Sequence, residues 1–274
     1  MPGLIHALAL PDTGFISLVG GGGKSTLLLR LARERQARGL RTVVTTTTRI
    51  LRAQGEAAGP VAGDLPALEA ALAQSLTVCA ALPAPEMGKL APPSQALLDQ
   101  ALNLTGLVVA EADGAHGRPV KAPAGYEPCL LPHSAAVVAV AGLSALGRPL
   151  EEVCHRPELA ARLLGTSLDI LLTPELLARL LASGEGQFKG VGDLEQFRIL
   201  LNQADGPEGL AMARETAAAI RTLLPGVPVV AAALREPEPV KEAFFHADRN
   251  QGGGGLGHRD RLPPVPEWVS GASH

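Results

Sequence analysis

The sequence predicts an α/β fold in which a mostly parallel sheet carries helices on both faces. Short apolar runs typical of buried strands alternate along the chain with segments whose leucines recur at helical spacing. This alternation favours parallel strands joined by crossover helices, because each helix packs back onto the sheet. The 274 residues fit one such domain with appendages, and 46% of them are hydrophobic, enough for a sizeable core.

The composition indicates a cytoplasmic protein with no nucleic-acid partner and no membrane partner. The formal net charge is −3, the basic residues are scattered, and aromatic residues make up 3% of the chain. The three cysteines (Cys79, Cys129 and Cys154) form no C-x-x-C pair, as expected in a reducing compartment. We find no apolar run of membrane-spanning length and no basic region at the N-terminus.

The segment 15–26 predicts a phosphate-binding loop between a strand and a helix. An apolar run at 15–19 is typical of a buried strand, and a leucine-rich helical segment follows the loop. The candidate nucleotide ligands between them are Gly20, Gly21, Gly22, Gly23, Lys24, Ser25 and Thr26. Glycines let backbone N–H groups approach phosphate oxygens, and a helix start attracts the same anion. We therefore expect Lys24 to bridge the outer phosphates, Ser25 to ligate Mg²⁺, and the fold to be a P-loop NTPase of the SIMIBI type.

This loop is shorter than the common pattern G-x-x-x-x-G-K-[ST]. Counting back from Lys24, the first glycine of that pattern would fall on Leu18, whereas the residues present read G-x-x-G-K-[ST] from Gly20. A loop of this length resembles that of the Mur ligases, which bind ATP. A glycine-rich turn followed by a chance Lys-Ser is the alternative, and the flanking strand and helix favour the nucleotide site.

The next elements in order are a helix, a strand and a candidate insertion. The helix after the loop is predicted to end at Gly39. The β-branched strand 41–45 runs into a series of threonines at the edge where ligands of parallel sheets bind, so Thr46 is a candidate Mg²⁺ ligand. Solvated hydroxyls at a strand end are an equally good interpretation. Within the candidate insertion 55–105 we predict a helix at 67–73, a strand at 76–82 and a helix at 94–102.

Two acidic residues follow the buried strand predicted at 107–110. Glu111 and Asp113 occupy the strand end, where nucleotide-binding proteins place the acids that orient Mg²⁺ or its waters. We predict both as metal ligands, together with Ser25 and Thr46, and we predict Lys24, Glu111 and Asp113 as catalytic residues. An ordinary strand-to-turn junction is the alternative, because Asp-Gly is favoured in turns.

Four basic residues further along are candidate ligands of an anionic substrate. Arg118 and Lys121 lie on a proline-rich loop after the acids, and His155 and Arg156 precede a helix that begins near Pro157. Charged groups beside a nucleotide could bind a second anion, although such residues are more often simply solvated.

The remaining elements continue the alternation up to residue 234. We predict strands at 135–143, 197–201 and 227–232, a helix that begins near Pro174 and a helix at 208–224. The nucleotide-binding domain therefore spans 1–234. Residues 235–274, rich in proline and glycine, are predicted as an irregular, flexible tail.

The base preference is suggested by the segment that follows the strand at 197–201. Asn202 and Asp205 stand at the spacing of the N-K-x-D motif that reads guanine in GTPases, but Gln203 replaces the lysine. The carboxylate of such an aspartate accepts hydrogen bonds that guanine offers and adenine does not. We therefore expect GTP or ATP to bind, with GTP slightly favoured.

Taken together, these motifs resemble the YqeC-type accessory proteins of selenium-dependent molybdenum hydroxylases. The segments that carry the resemblance are 19–25, 44–48, 111–114, 117–123, 155–158 and 201–205. The resemblance implies an NTP-binding protein that helps mature the selenium-containing molybdenum cofactor or insert it into a hydroxylase. A hydroxylase or a cofactor-biosynthesis protein is then the expected partner. Glu111-x-x-Gly114 is also similar to the motif of GTPases that insert nickel into urease and hydrogenase.

Two other functions remain open from the sequence. The short loop is compatible with a Mur-like ligase or a small-molecule kinase acting on an acidic substrate held by basic residues such as Arg118 and Lys121. Alternatively, the protein is a binding module in which nucleotide only switches affinity for a partner protein. A second copy of the chain, forming a homodimer, is also an expected partner. The products formed from the nucleotide distinguish these functions.

Overall fold

The structure is a computed structural model that describes residues 3–244. Its fourteen described strands form one large and two small sheets. The strands are β1 (Gly14–Gly20), β2 (Thr42–Thr46), β3 (Ile50–Leu51), β4 (Val61–Ala62), β5 (Thr77–Ala80), β6 (Leu82–Pro83), β7 (Lys89–Ala91), β8 (Leu107–Glu111), β9 (Val120–Lys121), β10 (Ser134–Gly142), β11 (Cys154–His155), β12 (Phe197–Asn202), β13 (Val229–Ala232) and β14 (Val240–Phe244).

Nine α-helices connect these strands in the described part of the chain. The helices are α1 (Leu4–Ala7), α2 (Lys24–Ala37), α3 (Arg52–Glu56), α4 (Leu65–Leu72), α5 (Gln95–Thr105), α6 (Leu150–Val153), α7 (Pro157–Leu164), α8 (Pro174–Ala182) and α9 (Gly206–Leu223). Side chains cap the starts of α5 and α8: Ser94 accepts a hydrogen bond from the amide of Leu97, and Thr173 accepts one from the amide of Leu176. The helix after the loop ends as predicted, with Gly39 at a φ of +70°.

The large sheet has the order β14-β13-β12-β10-β1-β8-β2-β5-β4. Each neighbouring pair is parallel except β13 with β14. The predicted α/β fold with a mostly parallel sheet is therefore confirmed. β1 lies at the centre of this order, so the glycine loop at its carboxyl end lies between the ends of β8 and β10.

Both faces of the sheet are buried, as the sequence predicts. Adjacent residues of one strand enter different cores: on β8, Val108 packs with residues of α4 and α5, whereas Val109 packs with residues of α1 and α2. A third core lies against α7, α8 and α9 and includes Leu177 and Ile220. These layers hold the strand ends in fixed positions around the loop.

The segment 55–105 does not stand apart from the main fold. β5 and β4 extend the large sheet beyond β2, and β6 and β7 form a small sheet with β3. The other sheet pairs β9 with β11 and brings Lys121 beside His155. The small sheet of β3, β6 and β7 brings Arg49 and Lys89 to the cavity beside the glycine loop.

The end of the domain lies further along the chain than the sequence indicates. β14, within the segment predicted as irregular, pairs with β13, so the large sheet continues to Phe244. This strand has only five residues and follows Pro237 and Pro239, and because proline is disfavoured in strands, the sequence pattern did not predict it. The prediction of a flexible tail for 245–274 lies outside the described residues.

Candidate functional site

The glycine loop packs tightly against the end of β10, and this packing requires glycine. Gly20 and Gly22 have φ angles of +92° and +72°, a region that side-chain-bearing residues rarely adopt. A Cβ on Gly22 would lie 2.4 Å from the amide nitrogen of Gly142. The loop is thus fixed by contact with neighbouring backbone.

The amides of the first three loop glycines are used within the protein. Gly20 N–H donates to Oδ2 of Asp113 (3.0 Å), Gly21 N–H to the carbonyl of Val140 (2.9 Å) and Gly22 N–H to the carbonyl of Arg118 (3.1 Å). The amides of the first turn of α2 have no intrahelical acceptor, by the geometry of every helix start. The residues from Gly23 to Thr26 line a cavity, and amides at a helix start are groups that can bind an anion.

Lys24 opens α2 but turns its side chain inward, so that it is only 5% exposed. Its ammonium group donates to the carbonyl of Gly20 and lies 3.1 Å from Oδ1 of Asp113. Lys24 also lines the cavity. A buried cation is therefore held beside the helix start by groups that an incoming anion would compete with.

Asp113 is 1% exposed and lies between two lysines. Oδ1 faces Lys24, whereas Oδ2 lies 3.2 Å from Nζ of Lys121 and accepts the Gly20 amide. Although Oδ1 forms this ion pair, it has no hydrogen bond of good geometry. One oxygen of the carboxylate is thus firmly held, and the other retains capacity to accept a ligand.

Glu111 lies at the end of β8 and is also buried in the cavity wall. Burial raises the pKa of its carboxyl group and Asp113 raises it further, while the charge of Lys24 and a hydrogen bond from Ser25 lower it. The net direction is upward. Glu111 is therefore a better proton acceptor than an exposed glutamate.

The donor set suits Mg²⁺ bound together with phosphate. The carboxylates of Glu111 and Asp113 and the hydroxyl of Ser25 belong to residues that line one cavity. Within residues 3–244 there is no group of three or more His, Cys, Asp or Glu arranged as a metal centre. Mg²⁺ commonly takes one or two carboxylates and completes its shell with water and phosphate oxygens, which fits this arrangement.

Thr46, the fourth predicted metal ligand, does not line the cavity. Its hydroxyl is fully buried and donates to the carbonyl of Thr48 at 2.9 Å. It also accepts from the Thr48 amide at 3.1 Å, so the side chain closes a local turn. Thr48 is the threonine of this series that lines the cavity.

Of the four predicted substrate ligands, the structure places only Arg118 in the cavity wall. Arg118 lines the cavity, and one of its guanidinium nitrogens donates to the carbonyl of Glu152. Lys121 is 1% exposed, and Arg156 pairs with the buried carboxylate of Glu127, so both are engaged away from the cavity. The sequence gives no sign of which way these side chains turn.

His155 lies behind the cavity rather than in its wall. Its ring stacks on His116, with centroids 4.6 Å apart, and His116 does line the cavity. Burial, followed by the nearby positive charge of Arg156, lowers the pKa of His155 to about 4. His155 is therefore neutral near pH 7 and offers no charge to an anionic substrate.

The two residues predicted to bind the nucleobase, Asn202 and Asp205, differ in their hydrogen bonds to the rest of the protein. Asn202 donates from Nδ2 to the carbonyl of Gly22 (2.6 Å) and accepts at Oδ1 from the amide of Leu234 (3.0 Å). Asp205 is exposed, lines the cavity and makes no side-chain cap bond to α9. The structure thus brings both to the cavity, with Asn202 fixing the loop and Asp205 facing solvent.

The cavity has a volume of about 990 Å³ and reaches from the loop to residues that the sequence did not single out. These residues include Arg49, which directly precedes β3, Lys89, the first residue of β7, and Arg235, which follows β13. Gln54 of α3 donates to the Ser25 hydroxyl at 3.2 Å. Their segments carry no chemical motif, so only the fold shows that they meet the loop.

Among the described residues, no helix is long and apolar enough to cross a membrane.

Comparison with known proteins gives two matches. The sequence model of the family described as "YqeC protein" matches residues 16–158. The Escherichia coli (strain K12) protein named "Uncharacterized protein YqeC" is 33% identical over 181 residues, which cover 64% of this chain and 70% of that relative. The family match contains the glycine loop together with Glu111 and Asp113. From these matches, the chain belongs to the YqeC family.

Proposed function

We propose that this protein binds a nucleoside triphosphate with Mg²⁺ in the cavity around the glycine loop and hydrolyses it. The observation that carries the proposal is the convergence, in one cavity wall, of the helix start at 23–26, the buried cation Lys24 and the carboxylates of Glu111 and Asp113. Phosphoryl transfer needs this combination of amide donors, a cation and metal-binding acids.

The strand arrangement supports a P-loop NTPase fold of the SIMIBI type. β1 carries the glycine loop and pairs directly with β8, which carries Glu111. Asp113 follows two residues later and accepts the amide of Gly20, the first glycine of the loop. The phosphate-binding and metal-binding parts of a P-loop NTPase share one site, and this pairing brings them together.

Each residue has a defined role in the proposed reaction. The amides at the start of α2 bind phosphate oxygens, and Lys24 leaves the Gly20 carbonyl to neutralise charge on the outer phosphates. The Ser25 hydroxyl and the carboxylates of Glu111 and Asp113 hold Mg²⁺, which when bound neutralises further phosphate charge. Glu111 lines the same cavity wall, where its carboxylate would also accept a proton from the attacking water.

We propose further that hydrolysis serves the maturation or insertion of the selenium-containing molybdenum cofactor of a hydroxylase. The resemblance in sequence described above implies this role, and the family to which the chain belongs is the family of that resemblance. The partner is then a molybdenum hydroxylase or a protein of cofactor biosynthesis. In this scheme the hydrolysis step changes the affinity of the protein for that partner.

A second candidate function is transfer of phosphate to, or ligation of, an acidic small molecule. The observation that favours it is the presence of four further basic residues in the cavity wall, namely Arg49, Lys89, Arg118 and Arg235. A nucleotide at the glycine loop would leave part of this wall to bind a second anion. The short loop of the Mur type is compatible with such a reaction.

Product analysis tests both functions. The purified protein is incubated with Mg²⁺ and ATP or GTP, alone and with a small-molecule extract of the source cells. Release of free phosphate without extract supports hydrolysis, whereas a phosphorylated or ligated molecule formed only with extract supports the second function. Absence of both products, together with no heat of nucleotide binding in calorimetry, would contradict the nucleotide site itself.

A further inference from the structure

A buried chain of alternating charges leads from the glycine loop into the protein. Lys24 pairs with Asp113 (3.1 Å), Asp113 with Lys121 (3.2 Å) and Lys121 with Glu127 (2.9 Å), and Glu127 accepts from Arg156. Burying this many ions is costly unless each is paired. The chain is therefore an organised feature, and its first two members are residues of the proposed nucleotide site.

Lys121 is the inner cation of this chain and is fully enclosed. Besides its two carboxylate partners, its ammonium group donates to the carbonyl of Gly114 at 2.6 Å, so its three donors are satisfied. Its own carbonyl accepts from Nε2 of Gln187 at 2.7 Å. A side chain held from this many directions stays in place, and it is unavailable to a substrate in the cavity.

The two oxygens of Asp113 have different partners. Oδ1 faces Lys24, which lines the cavity, whereas Oδ2 faces Lys121 and the Gly20 amide, which lie behind it. When Lys24 turns to a phosphate, Oδ1 loses its cation. A buried carboxylate without a counter-charge is strongly destabilised. Asp113 therefore needs a second cation that does not leave, and Lys121 supplies it.

We infer that Lys121 is a positioning residue: it keeps Asp113 oriented and charge-balanced while Lys24 binds the nucleotide, so that Oδ1 becomes free for Mg²⁺ or its waters. This inference rests on the proposed nucleotide function. It assigns Lys121 an indirect role, and it replaces the direct substrate contact predicted from the sequence. Groups that orient metal ligands in this way commonly change metal affinity about 10- to 100-fold when they are removed.

The first test is Lys121→Met, which keeps the length of the side chain and removes its charge. Binding of ADP is measured by calorimetry in EDTA and across a Mg²⁺ titration. We expect the affinity in EDTA to fall as well, because Lys24 then leaves the buried carboxylate of Asp113 without a cation when it turns to the phosphate. The Mg²⁺ concentration needed for half-maximal tightening should rise about 10- to 100-fold.

A second variant keeps the test decisive if Lys121→Met fails to fold. Lys121→Met combined with Glu127→Gln removes one charge of each sign, so the interior stays balanced while Asp113 still lacks its inner cation. The matched control is Lys189→Met. Lys189 ties down the same loop through the carbonyls of Ala124 and Gly125, at 2.8 and 2.9 Å, and does not pair with Asp113.

The outcomes separate the inference from the function on which it rests. A weakened Mg²⁺ response in the double variant, with a normal response in Lys189→Met, supports the role of Lys121. A folded double variant with the wild-type Mg²⁺ response overturns that role, even if the wild-type protein hydrolyses nucleotide. A wild-type protein that binds no nucleotide, with or without Mg²⁺, overturns the proposed function and the inference together.

Discussion

The ammonium group of Lys24 lies 3.1 Å from the carboxylate of Asp113, inside the protein, and joins the start of α2 to the end of β8. The same ammonium group also donates to the carbonyl of Gly20. A phosphate that binds at the helix start must therefore draw Lys24 away from two internal partners. Because Asp113 keeps Lys121 as its other partner, this exchange leaves no buried carboxylate unpaired.

Lys24→Ala is expected to weaken triphosphate binding about 10- to 100-fold, because a hydrogen bond to a charged group contributes about 1.5–3 kcal/mol. Turnover should fall at least as far, and thermal stability should change little because Lys121 still balances Asp113. Calorimetry and a phosphate-release assay measure the two effects. Lys241→Ala, which removes an amine paired with Glu236, is the control. Unchanged triphosphate affinity and unchanged turnover in Lys24→Ala would contradict the assignment of 20–26 as a phosphate-binding loop.

Glu111→Gln is expected to raise thermal stability at pH 8 while abolishing Mg²⁺-dependent turnover. Burial raises the pKa of Glu111 above its ordinary 4.5, so the folded state holds this proton more tightly than the unfolded chain. The ionised carboxylate therefore costs stability above its folded pKa, and this cost disappears below pH 4.5. Glutamine removes the cost, and each kcal/mol recovered raises Tm by about 2–4 °C.

The control for this prediction is Glu69→Gln, at an exposed position on α4, which should leave Tm and turnover unchanged. Melting curves at pH 8 and pH 4 then show whether the stabilisation by Glu111→Gln vanishes in acid. A lower Tm at pH 8 with full activity would instead mean that Glu111 supports the fold.

The order of strands and helices was predictable from the sequence because it depends on local patterns. Leucines at helical spacing and short β-branched runs identify the longer strands and helices up to β13, and the glycine run marks the loop. The shortest elements, such as β3, β9 and β11, have no such pattern and were not predicted. Glu111 and Asp113 were identified as cavity residues because parallel strands end at one edge of the sheet. These inferences need no knowledge of which way a side chain turns.

The direction of individual side chains was not predictable, because it depends on distant parts of the chain. Lys121 turns inward since Asp113 and Glu127 surround it, and neither contact is implied by neighbouring sequence. Thr46 was assigned to the metal from its strand end, but its hydroxyl bonds to Thr48. Arg49 and Lys89 reach the cavity from segments without a motif, brought there by the pairing of β3 with β7.

The cysteines provide an independent check on the packing of the described chain. Burial raises the pKa of the Cys79 and Cys154 thiols to about 12, whereas Cys129 is exposed. At pH 8 the two buried thiols are protonated and shielded, so an aromatic disulfide reagent should modify Cys129 alone in the native protein. All three thiols should react after denaturation. If more than one thiol of the native protein reacted rapidly, the core around Cys79 or the core around Cys154 would be open to solvent.

Asn202→Ala is expected to weaken GTP and ATP equally. Both polar atoms of the Asn202 amide are engaged, one with Gly22 in the loop and the other with Leu234. Removing them frees the loop and leaves buried groups unpaired, which costs about 1–3 kcal/mol whichever base is bound. Competition calorimetry with both nucleotides measures the ratio. A large change in the GTP-to-ATP ratio would show that Asn202 contacts the base.

Asp205→Asn should change the base preference with little effect on the loop. Asp205 is exposed beside the cavity, and its carboxylate is free of a cap bond to α9, so it can accept from the two donors of guanine. When a bound base covers Asp205 and excludes water, an acceptor left unpaired by adenine costs about 1–3 kcal/mol, which corresponds to about a ten- to hundredfold preference for GTP. Asparagine can accept only one of these bonds, so the preference should shrink while ATP binding stays constant. Equal binding of ATP and GTP by the wild-type protein would mean that the Asn202–Asp205 segment is only the turn into α9.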